Sequence, residues 1–264
     1  MDLGLKSKRA LVTGSSRGLG YATALGLAEE GACMAINSRD DQAIQSAARS
    51  MKQATGREDI FAFSGDVADP SYPAQLIEQA VQVLGSLDIL ITNSGGPPAG
   101  KFEEFDDLAW QNAIELNLLS HVRLIRAALP HLRQSDNASV LTITSYSIKQ
   151  PIPNLVLSNS VRAATVGLTK TLALELGSDG IRFNSILPAW TETERVASLM
   201  EHRAGLNNTT AEEEFRKQAK DSPLGRMGKP EEFANAAVFL VSPAASYITG
   251  VMLSVDGGMY KGTL

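Results

Sequence analysis

The sequence predicts an α/β fold built on a doubly wound, seven-stranded parallel sheet. Short apolar runs rich in branched residues alternate with longer segments of helical period along nearly the whole chain. The runs are apolar at successive positions, as strands covered on both faces are. No low-complexity linker and no internal repeat interrupts the 264 residues. A single domain over residues 1–264 is therefore expected.

The first strand, near residues 10–13, runs into a glycine-rich turn that opens a helix over 18–30. A strand near 33–37 precedes a helix over 41–54, which Asp40 and Asp41 are placed to cap. A strand near 60–65, a helix over Tyr72–Leu84 and a strand near 88–93 repeat the unit. Residues 94–100 (SGGPPAG) follow as a Gly/Pro loop, which should be a tight, preshaped turn. Helices over 107–132 and 155–176 then alternate with strands near 139–144 and 182–187, and a helix over 231–241 precedes the last strand near 251–255.

Residues 191–228 break the rhythm, being long, charged and without a strand. Val196, Leu199, Met200 and Phe215 lie at roughly helical spacing, with Gly-Leu-Asn-Asn-Thr-Thr between them. Two short helices forming a substrate lid over the C-terminal edge of the sheet are expected; a solvated surface insertion is the alternative. Glu212, Glu213 and Glu214, followed by Arg216 and Lys217, read as a solvated helix face with i,i+3 and i,i+4 pairs.

Composition narrows the function. Hydrophobic residues at 44% and charged residues at 20% match an ordinary globular domain and exclude a disordered or charge-rich chain. No apolar stretch approaches the ~18–20 residues of a membrane span, and Asp2, Lys6, Lys8 and Arg9 break up the start. The single cysteine, Cys33, cannot form an internal disulfide, so a cytoplasmic location is expected. A net charge of −5 with no basic stripe argues against nucleic acid. His121, His131 and His202 are scattered without clustered carboxylates or cysteine, so no metal site is expected.

The chemistry begins at Thr13-Gly14-Ser15-Ser16-Arg17-Gly18-Leu19-Gly20. Glycines there allow a tight turn and close approach to a pyrophosphate, and the following helix presents free N–H groups and a positive dipole end. This segment resembles the TGxxxGxG signature of the short-chain dehydrogenase/reductase family, and the likeness continues along essentially the whole chain. Asp66-Val67 after Gly65 resembles the family's adenine contact. Asn93-Ser94-Gly95-Gly96 resembles its NNAG turn, Asn117 its helix asparagine, and Asp256-Gly257-Gly258 its C-terminal ending. Ile181-Arg182-Phe183-Asn184 and Pro188-Ala189-Trp190-Thr191-Glu192-Thr193 are similar to its IRVN and PGxxxT segments. The resemblance, to 3-oxoacyl-acyl-carrier-protein reductases among others, implies a Rossmann domain, a nicotinamide cofactor, a small-molecule carbonyl or alcohol substrate, and a homotetramer or homodimer.

A carboxylate ending the second strand would accept the ribose hydroxyls of NAD(H) and repel a 2′-phosphate. Here Ser38 stands at that position and Arg39 follows, while Arg17 supplies a second guanidinium. A fork of donors suits a phosphate, so NADP(H) is favoured over NAD(H). The remaining expected cofactor contacts are Gly14, Ser16, Gly18, Leu19, Gly20, Asp66, Val67, Asn93, Ser94, Gly95, Arg162, Pro188, Thr191 and Thr193. Trp190, Pro97, Leu199 and Met200 are expected to line an apolar substrate pocket.

Relatives of this kind use an Asn-Ser-Tyr-Lys set, in which the tyrosine is the general acid/base. Asn117 and Ser145 match the first two. Thirteen residues after Ser145 stands Ser158, and four further stands Arg162, where tyrosine and lysine are expected. The helix continues without a gap through Ala163–Lys170. A phenol titrates near ~10 and can be lowered by a neighbouring cation. A serine hydroxyl has no such acidity, and a guanidinium binds ribose hydroxyls without passing on a proton. Candidate substitutes are Tyr146, Lys149, or a water held by Asn117 and Ser158; His121, one turn beyond Asn117, reads as packing. Two functions stay open: an NADP(H)-dependent oxidoreductase with an atypical proton path, and a non-redox NADP(H)-binding scaffold or sensor.

Overall fold

A computed structural model describes residues 2–263. Seven parallel strands form one sheet in the order β3-β2-β1-β4-β5-β6-β7. They are β1 (Arg9–Val12), β2 (Cys33–Ser38), β3 (Ile60–Ser64), β4 (Ile89–Thr92), β5 (Ser139–Ile143), β6 (Arg182–Pro188) and β7 (Met252–Val255). The helices are α1 (Gly18–Glu29), α2 (Asp41–Thr55), α3 (Tyr72–Leu84), α4 (Asp107–Ile114), α5 (Ser120–Leu132), α6 (Val156–Glu175), α7 (Glu194–Asn207), α8 (Ala211–Lys220) and α9 (Pro230–Val241). Asp40 caps α2 by accepting from the Ala43 N–H, as its position in the sequence suggests.

Alternating side chains divide the core into two layers. Ala10, Val12, Met34 and Ile36 pack with α1, α2 and α9 on one face. Leu11, Ala35, Leu90 and Val140 pack with α3, α5 and α6 on the other. Chain order reverses between β1 and β4, which opens a crevice at the carboxyl ends of those strands. A third apolar cluster, containing Tyr146, Trp190, Val196, Met200 and Met227, lies under α7.

Two elements depart from expectation. The helix expected over 107–132 is broken by a π turn at Glu115–Leu119. There the Asn117 carbonyl accepts from the Thr165 hydroxyl of α6, a tertiary bond that hydrophobic period does not register. In 191–228 two helices form, and Thr191 bridges Gly228 where the excursion begins and ends. On α8 the expected solvated acidic face is incomplete, because Glu214 is buried and accepts from Thr209 and Lys217. Lys217 first, then Thr209 and Asn207, hold its carboxyl down at about 2.

Candidate active site

The crevice at the chain reversal is a cleft of about 1010 Å³, lined by residues of the glycine turn, the ends of β2, β4, β5 and β6, and α7. Its outer end is built from backbone. Gly14 has φ +58° and Gly18 φ +60°, the left-handed region that favours glycine. A Cβ on Gly14 would lie 2.8 Å from Asn93 Nδ2, which donates to the Gly14 carbonyl. Arg17 at the start of α1 makes no side-chain cap, and the first turn holds no acidic residue. The N–H groups and positive end of α1 thus face the cleft without a protein anion, a donor set suited to a pyrophosphate. Ser16 and Leu19 also line this end. Gly20 does not line it; a Cβ there would collide with the Gly14 carbonyl, so its role is close packing under the turn.

At the end of β2, Ser38 Oγ donates to the Asp40 carbonyl at 3.1 Å. Arg39 lines the cleft and has no carboxylate partner among the described residues. Arg17 instead pairs with Glu194 of α7 at 2.7 Å. Asp66 and Val67 line the neighbouring wall, with Asp66 accepting from the Ala68 N–H at 2.9 Å. Asn37 and Tyr72 support it. Asn37 Nδ2 donates to the Phe63 and Gly65 carbonyls, and the Tyr72 ring occupies the space that a Cβ on Gly65 would need.

The inner end holds two serines and a buried arginine. Ser145 Oγ accepts from the Ser147 N–H at 3.1 Å. Ser158 Oγ accepts from Arg162 Nε at 3.3 Å. Arg162 Nη1 donates to the Ile143 and Thr144 carbonyls, which anchors the guanidinium at the end of β5. Burial lowers Arg162 to about 10, with the charge of Arg195 adding to the effect, so it is a cation at neutral pH. Ser145, Ser158, Arg162, Asn93, Ser94, Gly95, Pro188, Thr191 and Thr193 all line the cleft. Thr193 also caps α7 by accepting from the Val196 N–H.

Other expected residues fall elsewhere. Asn117 does not line the cleft; its Nδ2 donates to Ser94 Oγ and the Gly95 carbonyl, and its Oδ1 is buried without a partner. Asn117 therefore fixes the loop after β4. Tyr146 lines the cleft yet packs in the cluster under α7, and burial pushes its phenol up. The Trp190 indole opposes that shift weakly, without a hydrogen bond of good geometry. Lys149 lies over the Tyr260 ring, 5.3 Å from its centre, and is not a cleft residue. His121 is buried on α5 with Nδ1 2.6 Å from the Thr92 hydroxyl, and burial lowers it to about 3, so it is neutral packing. Trp190 and Leu199 line the cleft, but Met200 is buried in the apolar cluster and Pro97 is not a lining residue; its carbonyl accepts from Arg195, which is.

Arg195 was not singled out by sequence, nor were Asn37, Tyr72 and Glu194. Arg195 lines the cleft while donating through Nη2 to the Pro97 carbonyl at 2.9 Å. Its only sequence signal is its place two residues past the helix-capping Thr193. Among the described residues, no group of three or more His, Cys, Asp or Glu is placed to hold a metal. No described helix is long and apolar enough to cross a membrane.

Known proteins share this architecture. The family model described as enoyl-(acyl carrier protein) reductase matches residues 14–260. A 3-oxoacyl-[acyl-carrier-protein] reductase of Chlamydia trachomatis is 32% identical over 255 residues, covering 97% of this chain and 98% of its own. The L-sorbose reductase of Gluconobacter frateurii, solved with NADPH and L-sorbose, superposes with a TM-score of 0.94 at 33% identity, covering 99% of this chain and 100% of that one. An NADPH-bound short chain oxidoreductase of Pseudomonas aeruginosa, described as containing an atypical catalytic center, gives a TM-score of 0.88 at 32% identity over 98% of this chain and 100% of that one.

Proposed function

The chain belongs to the short-chain dehydrogenase/reductase family, and we propose that it is an NADP(H)-dependent oxidoreductase that interconverts a carbonyl and a secondary alcohol without a tyrosine–lysine pair. The observation that carries this reading is the state of the two serine hydroxyls. Each accepts a hydrogen bond at oxygen, Ser145 from Ser147 and Ser158 from Arg162. Each therefore keeps its O–H to donate into the cleft, and donation from Ser158 is strengthened by the guanidinium behind it. Two such donors stabilise the negative charge that grows on a carbonyl oxygen as it is reduced. Arg162 holds its proton at neutral pH, so the proton that completes the alcohol comes from water.

In this reading Gly14, Ser16, Gly18 and Leu19 hold the pyrophosphate, Arg17 and Arg39 the 2′-phosphate, and Asp66 and Val67 the adenine. When bound, the nicotinamide supplies the hydride. Helices α7 and α8 act as a lid on one Rossmann domain, with Trp190 and Leu199 facing the substrate. NADPH in both solved neighbours supports the cofactor, and the atypical centre of the Pseudomonas aeruginosa protein supports the altered proton path. Exposed Leu108 on α4 and Leu174 on α6 support self-association as a homodimer or homotetramer. A non-redox nucleotide-binding scaffold or sensor draws on one observation: neither Tyr146, pushed up, nor Arg162, at about 10, exchanges a proton near neutrality.

The test is Ser158→Ala, assayed with NADPH against a panel of ketones and keto sugars. Loss of one oxyanion donor lowers kcat by about 10²–10³ while NADPH affinity is retained. Undiminished turnover in Ser158→Ala would remove the serine pair from the reaction.

A further inference from the structure

Four arginines and three carboxylates line the cleft, although the chain as a whole carries a net charge of −5. All three carboxylates are committed. Asp40 caps α2, Asp66 accepts from the Ala68 N–H, and Glu194 pairs with Arg17. That leaves Arg162 and Arg195 toward the inner end, near enough for the charge of Arg195 to depress Arg162. Neither has a carboxylate partner among the described residues.

The two differ in how their donors are used. Arg162 is committed to Ser158 and two carbonyls. Among the described residues, Arg195 has one side-chain hydrogen bond, from Nη2 to the Pro97 carbonyl. The buried Arg182 shows what a purely structural guanidinium looks like here: it donates to the Leu240, Ser242 and Ile248 carbonyls and lies away from the cleft. Arg195 stays exposed on the cleft wall, so its remaining donors are open to an anionic ligand, which the nearby Arg162 cation also favours. The Nη2 group also lies 3.2 Å from where a Cβ on Gly96 would sit, so glycine at 96 admits the guanidinium beside the loop.

We propose that Arg195 is the specificity-determining residue of this site and binds a carboxylate on the substrate, which makes the substrate class an oxo acid or the matching hydroxy acid. The carbonyl half of that assignment rests on the oxidoreductase reading; the anion half rests on Arg195. The planar guanidinium fork matches a carboxylate in two parallel bonds. The substrate thus spans from Arg195 on α7 to Ser145 after β5 and Ser158 on α6, with its carbonyl at the serines.

Binding to the NADPH-saturated protein is measured calorimetrically for oxo acids of increasing chain length, each beside its methyl ester, in wild type, Arg195→Met and Arg195→Lys. At least one oxo acid should bind wild type about tenfold or more tightly than its ester. In Arg195→Met the ratio should fall to about one, with the NADPH Kd changed by less than about twofold, and Arg195→Lys should lie between. Equal binding of every acid and its ester in wild type would overturn the proposal, as would a ratio that survives Arg195→Met. A roughly tenfold weaker NADPH Kd in Arg195→Met would assign the residue to a cofactor phosphate instead and also overturn it. Acid-selective binding that Arg195→Met abolishes, without NADPH oxidation by any acid, would support the anion site and count against the reductase alone.

Discussion

A serine held by a guanidinium does different work from a phenol held by an ammonium. The pair Ser158–Arg162 offers a hydrogen bond and a fixed charge, and neither partner changes protonation near neutral pH. The rate of the chemical step is therefore expected to be flat between about pH 6 and 9 and to fall above about 10, where Arg162 loses the proton that supports Ser158. Single-turnover rates across that range check this; a titration in the rate near neutrality would place the proton on another group. At this scale the sequence was informative about identity and silent about direction. Ser145, Ser158 and Arg162 are legible because their spacing departs from a resembled pattern. Arg195 is not legible, because nothing in Thr-Glu-Arg distinguishes a cleft guanidinium from a solvated one. Met200 and Pro97 are expected in the pocket because apolar residues near a lid suggest one, whereas Met200 is buried in the cluster under α7 and Pro97 does not line the cleft.

At the scale of elements, the pairing of Arg17 with Glu194 joins the glycine turn to the first helix of the 191–228 excursion. Both side chains are about two-thirds exposed or more, so the pair contributes only about 0–1 kcal/mol and yields readily to a phosphate. Glu194→Gln removes that competitor. NADPH affinity should rise by about two- to fivefold, corresponding to that energy, with NADH affinity unchanged. Fluorescence titration of the two cofactors measures the difference, and an equal gain for both would mean that Arg17 does not meet the 2′-phosphate. The boundaries of most helices were readable from apolar period and caps. The π turn at Glu115–Leu119 was not, because the bond that coincides with it comes from Thr165, 48 residues away. Buried Glu214 was masked for a similar reason: its partner Thr209 belongs to the loop between α7 and α8.

For the whole molecule, the sheet order and the two-layer core follow from strands apolar at successive positions, which is why the fold was the most legible feature. Stability carries one pH signature of its own. His121 is buried neutral with its value lowered to about 3, against 6.5 when free. The unfolded chain therefore takes up a proton that the folded chain refuses. Stability from this group is complete above about pH 6.5 and is lost as pH falls from there toward 3. Urea midpoints across that window should decline in wild type and decline less steeply in His121→Gln. An identical slope in both would show that another group carries the acid sensitivity.

The central claim, that this cleft performs hydride transfer with NADP(H), is tested most directly by following the label itself. The protein is loaded with NADPH deuterated at C4, on each face in separate samples, and mixed with a metabolite extract. Products are read by mass spectrometry, with a variant carrying Arg17→Ala and Arg39→Ala as the blank. Deuterium should enter a product only with the intact protein and from one face of the cofactor. Demonstrated NADPH binding with no transferred label from either face would contradict the oxidoreductase account and leave the nucleotide-binding scaffold in its place.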